Sequence, residues 1–385
     1  MTNQVKKLKV MTIFGTRPEA IKMAPVIAAL KTCDEIETVV AVTAQHRQML
    51  DQVLTIFDIH PQYDLDIMQT NQTLSGITSR ALRGLEEVIM QECPDIILVH
   101  GDTTTTFAAA LAAFYQKVKV GHVEAGLRTY DKYSPYPEEM NRQMTSSLTD
   151  IHFAPTVAAR RNLEKENIPA AAIYVTGNTV IDALATTVAT DYQHEVLEQI
   201  AEAPYLLLTA HRRENLGEPM RAIFAAVRDI LVARPDVHVV FPVHLNPTIV
   251  EAAQTAFGAN ERVHLIKPLD VFDFHNIAAR SQLIMTDSGG VQEEAPSLNV
   301  PVLVLRDTTE RPEGIAAGTL KLVGTDRGLI RAEALRLLNS EAAHAAMANV
   351  ANPYGDGASA QRIVAIIRYA FGLTTERPND FVSGK

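Results

Sequence analysis

Short runs rich in Val, Ile and Leu recur along the whole chain, with helix-like patterns between them. The runs occupy residues 10–14, 38–42, 95–99 and 118–120, then 205–208, 237–241, 262–266, 282–285 and 300–305. Stretches such as 19–31, 74–91 and 220–233 carry helical periodicity. Continuously apolar strands are buried on both faces, and parallel strands need a crossover element to bring the chain back. The pattern therefore predicts an α/β fold built on doubly wound parallel sheets covered by helices. No solenoid repeat and no low-complexity tract interrupts it.

With 385 residues the chain has room for two such domains. The expected boundary lies near Gly177-Asn178 and the polar stretch 191–204. That division gives a first domain over 1–177 and a second over 178–355, with a closing helix at 358–373 that returns to the first. A formal net charge of −10 argues against a nucleic-acid binder, which would show a basic field. It leaves room for a local arginine cluster that holds an anionic small molecule. The two cysteines, Cys33 and Cys93, offer neither a zinc spacing nor a disulfide framework. The N-terminal residues lack the apolar core of a signal peptide, and no run approaches the ~18 residues of a membrane span. A cytoplasmic chain with no metal and no membrane partner is expected.

In open parallel sheets ligands bind beyond the carboxyl ends of the strands, so the strand-to-helix junctions carry the chemistry. The first is Gly15-Thr16-Arg17-Pro18-Glu19-Ala20-Ile21-Lys22. Gly15 permits a tight turn, Pro18 suits a first helical turn, and Arg17 and Lys22 sit near a helix N-terminus, a natural anion site. The second junction, His100-Gly101-Asp102-Thr103-Thr104, places Asp102 either as an N-cap or as a group facing a ligand. The third runs from His122-Val123-Glu124 to Pro137-Glu138-Glu139, with Glu138 opening a helix. Asp102, Glu124 and Glu138 together put three carboxylates at the mouth of one sheet, where mutual repulsion raises a pKa toward the range useful for proton transfer.

In the second half, His211-Arg212-Arg213 follows a strand and suggests a clamp for a diphosphate. Asp287-Ser288-Gly289-Gly290 leads into a helix whose bare amides suit phosphate, and Glu294, one turn on, is placed to accept from ribose hydroxyls. Neither half carries a dinucleotide fingerprint at a strand end. The nominal G-x-G-x-x-A at Gly355–Ala360 has no strand before it, which removes the case for a bound nicotinamide. Ser288 does not sit in a nucleophile-elbow motif.

Taken in order, Gly15-Thr16-Arg17-Pro18-Glu19, Gly101-Asp102-Thr103, His122-Val123-Glu124-Ala125-Gly126-Leu127-Arg128, Pro137-Glu138-Glu139-Met140-Asn141-Arg142, His211-Arg212-Arg213-Glu214-Asn215 and Asp287-Ser288-Gly289-Gly290 resemble the non-hydrolysing UDP-N-acetylglucosamine 2-epimerase family. The resemblance spans essentially the whole chain. It implies two Rossmann-like domains in the GT-B arrangement with the active site in the interdomain cleft, a homodimer, and no cofactor. It implies interconversion of UDP-GlcNAc and UDP-ManNAc for cell-surface polysaccharide, through elimination and re-addition of UDP. Carried over by motif, Arg17, Lys22, His211, Ser288, Gly289, Gly290, Glu294 and Arg311 look like UDP contacts. Leu269 and Phe274 look like the uracil pocket, and Asp102, Glu124 and Glu138 like the acid/base set, with His211 beside them.

Some members of the family hold a second UDP-GlcNAc that regulates them. By motif, Gln45, His46, Gln48, Glu138, Arg212 and His244 would build that pocket. Asn71 stands where several such members carry an arginine, and asparagine cannot pair with a diphosphate as a guanidinium does. Other readings of the same residues are a GT-B glycosyltransferase, a hydrolysing 2-epimerase and a catalytically silent UDP-sugar sensor.

Overall fold

The structure is a computed structural model that describes residues 6–45 and 47–384. Residues up to Ala183 together with Gly355–Val382 form one compact unit, and Leu184–Tyr354 form another. The first unit contains β1 (Leu8–Phe14), β2 (Ile36–Val42), β3 (Tyr63–Asp64), β4 (Ile96–His100), β5 (Lys119–Val123), β6 (Ile151–Ala154) and β7 (Ile173–Val175). They make one sheet in the order β3-β2-β1-β4-β5-β6-β7, with every neighbouring pair parallel. The second unit contains β8 (Tyr205–Thr209), β9 (His238–Pro242), β10 (Val263–Ile266), β11 (Leu283–Thr286), β12 (Val302–Val304) and β13 (Leu320–Leu322). Its sheet runs β10-β9-β8-β11-β12-β13 and is also parallel throughout.

Both faces of each sheet are covered, as the lack of alternation in the sequence predicts. β4 and β8 are buried at every residue. Alternate residues on neighbouring strands share a face, so Met11, Ile13, Val39, Ala41, Ile97 and Val99 meet helix residues Ile77, Ala81 and Leu85 in one core. In the second unit Leu206, Leu208, Val239 and Phe241 pack on one side and Leu207, Val240 and Ile284 on the other. The helix Thr104–Tyr115 turns five buried alanines toward its neighbours. Side chains that small let the helix lie close to the sheet.

The strands that the apolar runs do not predict are short or carry polar residues. β3 has two residues, β6 contains His152, and Lys321 sits in the middle of β13. Tertiary pairing forms them, since three or four residues carry too little period to read.

In each sheet the order reverses direction beside the strand that starts the unit, between β1 and β4 and between β8 and β11. Such a switch point opens a crevice at the carboxyl ends, where α/β sheets bind ligands. Within the first unit the helix Ser359–Ala370 packs on the helix Arg17–Lys31. Past it, the Phe381 N–H donates to Val175 O at 2.7 Å and Asp380 accepts from the Val175 N–H at 3.0 Å, closing the β7 edge. Among the described residues no helix is long and apolar enough to cross a membrane.

Candidate active site

At the first switch point β1 gives way to Gly15, where a β-carbon would lie 2.1 Å from Thr43 Oγ1 and 2.5 Å from Thr105 Oγ1. Only glycine fits this approach. Glu19 then folds back on its own helix start, and its Oε2 accepts from the Thr16 N–H at 2.8 Å and the Gly15 N–H at 3.1 Å. Its Oε1 accepts from the hydroxyls of Thr103 at 2.8 Å and Thr106 at 3.1 Å, on the junction after β4. The side chain is buried, and desolvation pushes its carboxyl up against the pull of those donors. One carboxylate thus ties together the two turns that carry Arg17 and Asp102.

The helix after β4 is capped by Thr103, whose Oγ1 accepts from the Thr106 N–H at 3.1 Å. This excludes the N-cap reading of Asp102 and leaves its carboxylate for other work. Asp102 keeps about a third of its side-chain surface, 31%, and lies 3.6 Å from Arg142 Nη1. Desolvation raises its carboxyl, Arg142 opposes this, Glu124 and Glu138 add to it, and Lys22 opposes. Glu124 and Glu138 thus both lie within electrostatic reach of Asp102.

Glu124 leaves β5 with a left-handed backbone, φ 62°. Its carboxylate pairs with the Lys22 ammonium, accepts from Asn178 Nδ2 at 2.9 Å, and lies 3.8 Å from His100 Nε2. Burial lowers His100 to about 4, so the ring is neutral and adds no charge to the cluster. Glu138 opens the helix Glu138–Leu148, as the sequence predicts. Its neighbour Glu139 points the other way. Fully buried, Glu139 accepts from the N–H groups of Thr129 and Tyr130, both at 3.0 Å, and pairs with Arg142 at 3.0 Å. Glu139 therefore builds the loop, and Glu138 is the carboxylate that Asp102 senses.

At the second switch point the residues after β8 and β11 meet. The Asp287 N–H donates to Thr209 O at 3.1 Å, extending the strand pairing by one residue. Its buried carboxylate then organises the loop after β8: Oδ2 accepts from the N–H groups of His211 and Arg212, each at 2.9 Å, and from Asn215 Nδ2 at 3.0 Å. The His211 ring stacks on His244, which follows β9, at 5.7 Å between centroids. Arg212 reaches Glu310 at 3.9 Å.

Ser288 caps the helix Gly289–Glu294, whose six residues run into a turn of tighter helix at Ala295–Leu298. Arg311 leans over Gly289, pairing with Glu293 at 2.9 Å and Glu310 at 3.2 Å. Glu294 lies 3.3 Å from His275 Nε2, and the other ring nitrogen of His275 bonds the Thr187 hydroxyl at 2.7 Å. Phe274 precedes His275 on the helix Val271–Ala279, and both Phe274 and Leu269 lie half-buried against the same apolar cluster. His211, Arg212, Ser288, Gly289, Gly290, Glu294, Arg311, Phe274 and Leu269 thus all emerge at the carboxyl ends of this sheet.

The residues assigned to a regulatory pocket divide between the units. Gln45 is buried and accepts from Thr105 Oγ1 at 3.1 Å, while Gln48 and Asn71 are exposed. His46 lies outside the described residues. Arg47, between them, is engaged by Asp51, Asp64 and Asp66. Arg212 and His244 flank His211 in the second unit.

Sequence reasoning gave no role to Glu19, Asp287, His275 or Asn178. Only Glu19 carried a local signal, a Thr-x-x-Glu capping box at Thr16–Glu19.

A family model described as UDP-N-acetylglucosamine 2-epimerase matches residues 28–368. The UDP-N-acetylglucosamine 2-epimerase of Bacillus subtilis is 61% identical over 377 residues, which covers 98% of this chain and 99% of that protein. The crystal structure of a candidate UDP-N-acetylglucosamine 2-epimerase from Listeria monocytogenes superposes with a TM-score of 0.94 at 59% identity, covering 98% of this chain and 100% of that one. A Neisseria meningitidis UDP-GlcNAc 2-epimerase, solved bound to UDP-GlcNAc, superposes with a TM-score of 0.83 at 49% identity, covering 94% of this chain and 99% of that one.

Proposed function

The chain belongs to the UDP-N-acetylglucosamine 2-epimerase family, and from that premise we propose that it interconverts UDP-GlcNAc and UDP-ManNAc by inverting carbon 2, without net hydrolysis. The observation that carries this reading is the cluster of Asp102, Glu124 and Glu138, with a raised carboxyl at Asp102. The hydrogen on carbon 2 has no adjacent carbonyl, so removing it alone would leave an unstabilised carbanion. Elimination avoids that. As a carboxylate takes the proton, the C–H electron pair forms the carbon 1–carbon 2 double bond, and the carbon 1–oxygen bond breaks with its pair on UDP. Re-addition of UDP, with a proton delivered to the opposite face, gives the epimer.

Such a route needs proton carriers near the sugar and fixed positive partners for the departing diphosphate. The carboxylates of the first unit take the first task. Arg17, Lys22, His211, Arg311 and the amides at Ser288, Gly289 and Gly290 take the second, while Glu294 holds the ribose and Phe274 and Leu269 the uracil. That a Neisseria relative is solved bound to UDP-GlcNAc supports a nucleotide-sugar substrate. The family resemblance extends the reading to a cytoplasmic homodimer feeding cell-surface polysaccharide. A regulatory UDP-GlcNAc pocket belongs to it in weakened form, because Asn71 offers no guanidinium.

Turnover of UDP-GlcNAc in deuterium oxide, followed by proton NMR, is expected to place deuterium at carbon 2 of both UDP-sugars. Carbon 2 fully protonated in the product would withdraw elimination in favour of an oxidative route. Free ManNAc accumulating with UDP would point to the hydrolysing reaction, and sugar transfer to an acceptor to a glycosyltransferase.

Arg17→Ala and Glu294→Ala are each expected to weaken UDP itself, by about 1.5–3 kcal/mol, the value of a charge-assisted hydrogen bond. Titration calorimetry reads this directly. Unchanged UDP affinity in both variants would contradict the assignment.

A further inference from the structure

The proposed function uses His211 but not the carboxylate beneath it. Asp287 is fully buried and, among the described residues, makes no ion pair with a lysine or arginine. Its Oδ2 is occupied by three N–H donors, from His211, Arg212 and Asn215. Its Oδ1, equally buried, has no hydrogen bond and faces His211 Nδ1 at 3.4 Å. The Asn215 amide is itself held by Leu305 O at 3.1 Å, so the carboxylate cannot swing away without breaking the loop.

An ionised carboxylate only accepts. A proton on the ring nitrogen that faces Oδ1 would give that buried oxygen its donor and leave the lone pair on the other nitrogen. We propose that Asp287 is a positioning residue for His211, fixing the Nδ1–H tautomer and turning Nε2 outward to take up a proton from solvent when the diphosphate arrives. The proton returns to solvent when the nucleotide leaves. The same carboxylate grips the His211 backbone N–H, so backbone and ring are set by one group. A ring nitrogen fixed by the bond its partner makes is how histidine roles are commonly assigned.

The surroundings give the direction of the pH effect. Burial lowers His211 first, Arg212 on its own loop and His244 after β9 push the same way, and Asp287 after β11 is the group that opposes them. The free ring is therefore neutral at neutral pH. A bound diphosphate raises its pKa, so UDP binding takes up a proton. Affinity for UDP should then rise as pH falls from the bound pKa to the free one, and level off below. Asp287 makes this possible by stabilising the imidazolium.

The pH effect rests on the nucleotide reading above, whereas the tautomer does not, and the experiment separates them. In protein labelled with nitrogen-15 at histidine, the His211 ring signals are identified by their loss in His211→Gln. Above its pKa the wild-type ring is expected to be protonated at Nδ1 and bare at Nε2. Asp287→Asn can keep its carbonyl where Oδ2 was, hold all three donors, and present an N–H to Nδ1. The loop then stands and the tautomer inverts, the situation in which an Asp→Asn change alone disables a histidine. Calorimetry with UDP, from about pH 8 to about pH 6, should show wild-type affinity rising by ~10-fold, the worth of a charge-assisted bond. In Asp287→Asn the rise beyond UDP's own protonation should vanish. A wild-type ring protonated at Nε2 overturns the proposal even if the variant fails to fold. Parallel pH slopes in the two proteins overturn its functional half. Failure of the wild type to bind UDP at all would remove the nucleotide reading and leave the tautomer result to decide the pairing.

Discussion

Asp102→Asn is expected to lower turnover by about 10²–10⁴-fold, the usual cost of losing a positioned acid/base group, while UDP affinity stays near that of the parent. The variant isolates chemistry because Asp102 has no structural duty at its helix start, where Thr103 is the cap. Asparagine also preserves the backbone carbonyl that accepts from Asn141 Nδ2 at 3.0 Å. Glu124→Gln and Glu138→Gln should bring comparable losses, with Glu124→Gln also weakening the Lys22 pairing. Removing the Glu138 charge has a second effect. Asp102 is raised by desolvation and then by its neighbouring carboxylates, so Glu138→Gln must lower it. Whichever limb of the pH–rate profile reports Asp102 moves to lower pH. Steady-state rates, UDP calorimetry and a pH profile for each variant provide the check, and near-normal turnover in all three would withdraw the assignment.

Glu19→Ala should destabilise the protein by on the order of 3 kcal/mol or more, whereas Glu19→Gln should be tolerated. Alanine strands the buried N–H groups of Gly15 and Thr16, which now donate to Glu19 Oε2, and each unsatisfied buried donor costs roughly 1–3 kcal/mol. Glutamine keeps one oxygen for those amides. Its NH2 group can donate to the hydroxyls of Thr103 and Thr106, which rotate to accept. Burial raises the carboxyl of Glu19 in the folded state. Its contribution is thus fully present at pH below the unfolded value and is lost as pH rises through the folded one. Glutamine removes that loss, so the stability gap between wild type and Glu19→Gln should shift in favour of the variant as pH rises. Thermal melts of the three proteins across pH test both statements. Equal melting of Glu19→Ala and wild type would remove the idea that this carboxylate ties the two turns.

The strands of both sheets were legible wherever an apolar run was long enough to have no solvent face, as at β1, β4 and β8. They were hidden where pairing with neighbours substitutes for composition, as at the two-residue β3. Helix starts were legible from Pro18 and from the two prolines ahead of the pair Glu138-Glu139. Which member of that pair turns inward was not, because the choice depends on the amides of Thr129 and Tyr130 folding over Glu139. Whether Asp102 caps its helix was left open by the sequence, because Asp102 and Thr103 are both capping residue types and the contact to Arg142 that Asp102 makes comes from a distant helix. Asp287 was invisible as an organiser, since its partners lie 72 to 76 residues earlier in the chain.

The closure of the β7 edge by Asp380 and Phe381 makes the first unit wait for its own completion. A ribosome adds roughly 5–20 residues per second, so about 10–40 s of synthesis separate Val175 from the residues that pair with it. Throughout that interval the β7 edge is a nascent, unprotected template of the kind that recruits foreign strands. The second unit, by contrast, has all its strands within Leu184–Tyr354 and can begin to fold as soon as that stretch clears the exit tunnel. Leu184–Tyr354 is therefore free to mature before the unit that brackets it in sequence, whose β7 edge depends on residues translated after it.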